Sequence, residues 1–171
     1  MRQVKLARIG FAFFMVGVAA CAERPAKSPD PLNGAWRLVA MHLIFVDGKR
    51  VEVPAQESLF IFADGYYSIA YAFGDTSSAP YAERWHPTGS EKLARFGSVI
   101  VNAGSYRLRG SQLEAHPVFA LAPEFVGGEG VFAFAFAADT LELTWERSIA
   151  FDGVEYPSRG TATLLRLVRA N

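Results

Sequence analysis

"VFAFAFAADTLELTWER", Val131 to Arg147, is two periodic runs set around one turn dipeptide, Asp139-Thr140. In the second run Leu141, Leu143 and Trp145 share one face, and Thr140, Glu142, Thr144 and Glu146 share the other. A period of two is the spacing of a strand with one buried face. In the first run Phe132, Phe134 and Phe136 alternate with Ala133, Ala135 and Ala137, bulky against small rather than apolar against polar. The stretch predicts an antiparallel hairpin, and the same grammar repeats outward from it.

Upstream, Leu59–Phe62 and Tyr66–Phe73 flank Asp64-Gly65, and Ile100–Arg109 and Gln112–Phe119 flank Gly110-Ser111, both hairpin signals. A long apolar run, Trp36–Val46, closes at Asp47-Gly48, and Thr161–Arg169 ends the chain. Eight sequential strands with short turns predict an antiparallel up-and-down barrel, because closure leaves no open edge. Two stretches break the rhythm. Thr88 and Glu91 have capping-box spacing, which predicts a short helix over Ser90–Phe96 in the long link between the third and fourth strands. Leu121–Gly130, "LAPEFVGGEG", predicts a loop.

The segment before the barrel has a different character. Arg2, Lys5 and Arg8 precede a dozen apolar residues, Ile9 to Ala20. A bilayer span needs ~20 apolar residues, so the stretch fits a signal peptide over residues 1–20 and not a membrane helix. Val18, Ala19 and Ala20 directly before Cys21, the single cysteine, resemble a bacterial lipobox. That resemblance implies lipidation of Cys21 and a lipid-anchored chain, with the outer membrane facing the periplasm as the expected place, since Ala22 stands where many inner-membrane lipoproteins carry Asp. A lone thiol in an oxidising compartment pairs with other chains, and acylation removes it. Residues 21–32 hold three prolines among polar residues and read as an extended tether; 33–171 read as the barrel domain.

Charge excludes one partner class. The chain balances 17 Lys and Arg against 17 Asp and Glu, and cleavage before Cys21 leaves 14 against 17, a net charge of −3. No basic run survives, so nucleic acid is not an expected partner.

Gly34-Ala35-Trp36 on the first strand and an arginine on the last resemble the short signature of lipocalins. The resemblance implies that Trp36 closes the barrel floor and that Arg169, or Arg166 if the register shifts, stacks across it, a contact worth ~1–2 kcal/mol when desolvated. More closely, "GAWRLVA" (34–40), "LFIFADGYYS" (59–68), "NAGSYRL" (102–108) and "PEFVG" (123–127) resemble the bacterial lipocalin-like domain family over nearly the whole domain. Asn102 stands where that family often has an aromatic, and Phe132 where it often has a polar or basic residue.

The remaining question is what the interior holds. An eight-stranded barrel is just wide enough to be filled by side chains or to take one small ligand. Tyr67, Tyr71, Tyr106, Phe132, Phe134 and Phe136 are the expected apolar lining, with Asn102, His42 and His116 as polar candidates. His42 alternates with Trp36, Leu38 and Ala40, which points it inward; His116 lies near a position where the family often has His. The three histidines lack metal-site spacing, and no metal or cofactor is expected. Trp85, in "ERWHP" (83–87), is expected to pack over the barrel end as a lid. No nucleophile elbow, acid pair or phosphate loop is present, so an enzyme confining its substrate ranks last. The leading expectation is a barrel binding a small apolar or amphipathic ligand. The alternative is a filled barrel acting through its loops as a periplasmic protein inhibitor or envelope accessory factor.

Overall fold

The computed structural model describes residues 30–56, 58–74, 80–157 and 160–170. The signal segment, Cys21 and most of the tether lie outside the described residues.

Nine strands form one antiparallel sheet: β1 (Gly34–Phe45), β2 (Arg50–Val53), β3 (Leu59–Ala63), β4 (Tyr66–Ala72), β5 (Val99–Arg109), β6 (Gln112–Ala120), β7 (Glu129–Ala137), β8 (Thr140–Ile149) and β9 (Thr161–Arg169). The sheet closes on itself through β1 and β9, which pair from Trp36 opposite Arg169 to Phe45 opposite Thr161. The short β2 is absent from the sequence expectation. It pairs with the second half of β1 and β3 with the first half, so the two share one position in the wall. The barrel therefore has eight positions, in the order expected. The helix α1 spans Gly89–Gly97 with both halves of the Thr88–Glu91 capping box formed. The Glu91 carboxyl accepts the backbone N–H groups of Ala82 and Thr88 and the Thr88 hydroxyl, which hold it below the usual carboxylate range.

The two ends differ in construction. At one end β3–β4, β5–β6 and β7–β8 each turn in two residues. Asp64 and Gly65 both take positive φ (49° and 85°), the geometry that matches strand twist in a tight hairpin. The third turn sits at Ala138-Asp139, one residue earlier than the sequence suggested, with Ala138 at φ 52°. At the other end the links are long: 46–49, 54–58, 73–98, 121–128 and 150–160.

Three register shifts set which side chains face in. One lies between Leu38 and Ala40, one between Ala103 and Gly104 against β6, and one between Val131 and Phe132 against β8. Each is a bulge, where an extra residue on one strand reverses the facing of every residue beyond it. Trp36 and Leu38 point inward; beyond the bulge Met41 and Leu43 do. His42 is thereby turned to the outer face, opposite Leu164, against the expectation of an inward histidine.

Candidate functional site

The closed end is a plug built around one indole. Trp36 is 1% exposed and donates its Nε1–H to the Leu32 carbonyl oxygen at 2.7 Å, while Leu32 itself is fully buried. The Arg169 guanidinium lies 3.9 Å over the Trp36 ring and donates to the carbonyl oxygens of Asn33 and Pro31. Arg166 instead faces out and pairs with Glu142 at 3.1 Å, so the arginine of the floor is Arg169. Gly34 is required by this contact. Its φ is +126°, and a Cβ there would stand 2.3 Å from Arg169 Nη1. The segment before β1 is held to the barrel, the Tyr106 hydroxyl donating to the Asp30 carboxylate beneath the plug. Burial first, and then that bond, push the Tyr106 phenol well above its ordinary pKa.

Of the residues expected to line a ligand pocket, three belong to this plug. Tyr106 packs edge-on against Phe62 at 5.4 Å, Phe136 lies 6.0 Å from Trp36, and Phe134 sits edge-on to Phe136 at 6.3 Å. They pack against the floor, Phe136 at its exposed edge, and are not among the residues that line the cavity.

Above the plug the interior is hollow. A cavity of about 110 Å³ occupies the half toward the long links. A site for one water needs only ~10–15 Å³, so side chains have not filled the barrel. Tyr67, Tyr71, Asn102 and Phe132 line it as expected. Phe60 stacks on Tyr71 at 5.6 Å, and burial pushes the Tyr71 phenol up to about 12. Close backbone approach shapes the wall at Gly104, where a Cβ would meet the His116 carbonyl oxygen at 2.1 Å.

His116 falls between Ala115 and Pro117, which both line the cavity, so like His42 it faces outward. Neither histidine is a pocket residue. Among the described residues no three His, Cys, Asp or Glu side chains gather as a metal site. Trp85 is not a lid: it is 84% exposed, at φ 69°. Phe125 and Tyr156 flank the mouth instead. Tyr156 lies 5.3 Å from Trp145, and Phe125 lies 5.8 Å from Tyr156.

Sequence reasoning missed Trp145, Ser148, Thr163 and Glu129 as lining residues. Alternation alone places Trp145 on the inward face. The bulge between β7 and β8 then brings Ser148 to the same side three residues later, and the Trp145 Nε1–H donates to Ser148 Oγ at 2.9 Å. On the other side of the cavity the Tyr67 hydroxyl donates to Asn102 Oδ1. At the rim Glu129 pairs with Arg147 at 3.5 Å.

Fold and site together define a closed antiparallel barrel with one plugged end and one hollow, aromatic-lined end. The chain belongs to the lipocalin-like domain family, whose model matches residues 33–164. A crystal structure of a lipocalin-like protein from Bacteroides uniformis is similar at 14% identity, over 81% of this chain and 98% of that one, with a TM-score of 0.41. No curated protein matches.

Proposed function

We propose that the chain binds one small apolar or amphipathic molecule in the upper half of the barrel, at the cell envelope. The observation that carries this is the hollow itself. It is walled by Phe60, Ile69, Phe132 and Leu165, with a few converging polar groups, the composition of a small-molecule site. Burying ~200 Å² of ligand at ~25 cal/mol/Å² returns about 5 kcal/mol, and association costs of ~4–15 kcal/mol offset much of it. A preformed cavity and polar anchors are what make binding possible. Purifying the full chain from its native membrane and weighing it intact by native mass spectrometry tests the reading. A bound small molecule, lost on Ala115→Leu, supports it; a chain with no adduct that gains no thermal stability from any small-ring compound contradicts it.

The tether belongs to the same proposal. The described chain enters at Asp30, on the closed end, so a lipid on Cys21 leaves the mouth facing away from the membrane surface. An outer-membrane chain facing the periplasm then presents its cavity to periplasmic solutes. Metabolic labelling with a fatty acid should mark the chain and fail to mark Cys21→Ser; equal labelling of both would contradict the anchor.

A second reading, a loop-borne action on another protein, is favoured by one observation: Trp85, Leu93 and Phe96 on the 73–98 link are all largely exposed. If a cellular phenotype of the deletion is rescued by Ala115→Leu but not by Trp85→Ser with Phe96→Ser, the loops carry the function and the cavity does not.

A further inference from the structure

Resting on the ligand-binding reading above, we infer that the cavity selects a neutral single ring with hydrogen-bonding atoms on two opposite edges, and rejects carboxylates. The size comes first. A cavity on the order of 150 Å³ holds benzene, so about 110 Å³ limits the ligand to one ring, with any substituent reaching into the open mouth.

The distribution of polar groups comes next. Around an eight-position barrel, β4 stands across from β8, and β5 across from β9. Tyr67 on β4 and Asn102 on β5 make one polar wall; Ser148 on β8 and Thr163 on β9 make the other. Phe60, Ile69, Phe132 and Leu165 lie between them. On the first wall the Tyr67 hydroxyl is spent on Asn102 Oδ1, and the Asn102 amide N–H groups make no hydrogen bond to a described residue. They are donors left for an accepting atom of a ligand. On the second wall Ser148 Oγ accepts from Trp145, which leaves its O–H to donate, and the Thr163 hydroxyl has no described partner. A buried polar atom left unpaired is costly, so a purely apolar ligand that strips water from both walls binds at a penalty.

Charge decides the rest. Among the described residues no lysine or arginine lines the cavity, and the charged side chain at its edge, Glu129, is already paired with Arg147. A buried carboxylate there would lose its hydration with no free cation among the described lining residues, since Arg147 is held by Glu129. The ring is therefore neutral, such as a phenolic ketone, a cyclic imide or a heterocycle with acceptors on both sides.

Calorimetric titration of the full chain at pH 7 with three ligands of one shape tests this. The ligands are 4-hydroxyacetophenone, 4-ethyltoluene and 4-methylbenzoate. The expected result is that the first binds at least tenfold more tightly than the second, and that the third gives no measurable heat. Asn102→Leu should shrink that preference to threefold or less while 4-ethyltoluene still binds, which shows the variant is folded. Equal or tighter binding of 4-ethyltoluene, or binding of the benzoate, would overturn the inference and leave the pocket standing. Binding of none of the three would overturn both. A preference that survives Asn102→Leu unchanged would remove Asn102 from the recognition.

Discussion

At the closed end, three strand pairs turn in two residues each, and Leu32, Trp36 and Arg169 plug the interior. At the open end the same strands run into links of four to twenty-six residues, and the side chains between them leave a hollow. The exposed apolar side chains divide the same way. Val46, Trp85, Leu93, Phe96, Phe119 and Phe151 sit toward the open end, and Ile61, Tyr66 and Phe136 toward the closed end, so more of them gather around the long links. The difference teaches that stability and binding are assigned to opposite halves of one sheet. Tight packing fixes the cylinder's shape at the floor, and that leaves the upper half free to be under-packed.

Trp36→Ala should break this division most severely. It removes the indole, the ring on which the Arg169 cation stacks and the donor to the Leu32 carbonyl, and truncating a buried Trp costs about 3–5 kcal/mol. Urea unfolding should show that loss. Phe132→Ala, half-buried beside the hollow, should cost less by about 2 kcal/mol, because fewer contacts surround it. Equal losses would mean that the two halves are packed alike.

Alkaline titration gives the next effect. The fold prefers the neutral phenol of Tyr71, and Tyr67 and Tyr106 are displaced in the same direction by burial. A raised folded pKa gives stability that is complete below pH about 10 and lost as pH climbs through about 12. Each such tyrosine contributes a slope of up to ~1.4 kcal/mol per pH unit in that window. Ultraviolet titration should show Tyr67, Tyr71 and Tyr106 ionising late, together with unfolding. Six ordinary titrations would contradict the burial of both halves.

Ala115→Leu separates the halves by function. It places three more carbons against the cavity, and should lower small-ring affinity at least tenfold while stability changes by less than about 1.5 kcal/mol. A large destabilisation would mean the wall has no room. The smallest effect belongs to Trp85→Ser, which should leave stability within about 0.5 kcal/mol, as for other exposed sites.

Eight of the nine strands, their order, two of the three tight turns and the capped helix were legible in the sequence, because alternation and turn chemistry are local, whereas the short β2 was not and the Trp36 floor was implied by the family resemblance alone. The placement of His42 was not. A bulge at Val39 costs one residue of register and has no signature in an apolar run, yet it turns the histidine from inside to outside. Ser148 was missed for the mirror reason: a bulge on β8 brings an apparently outward serine in. The composition around Trp85 suggests a lid, whereas the rings at the mouth come from Phe125 and Tyr156, on links whose paths no periodicity describes. Whether the interior is full depends on how side chains from all eight wall positions meet, and that is not a property of any one stretch.

The three indoles report on the division directly, since Trp36 sits in the floor, Trp145 lines the hollow and Trp85 faces solvent. In a nitrogen-15 spectrum of the full chain, saturation with phenol should shift the Trp145 Nε1–H resonance and leave those of Trp36 and Trp85 in place. A shift of the Trp36 indole with Trp145 unmoved, or no shift at all, would contradict a plugged floor beneath a ligand-sized hollow.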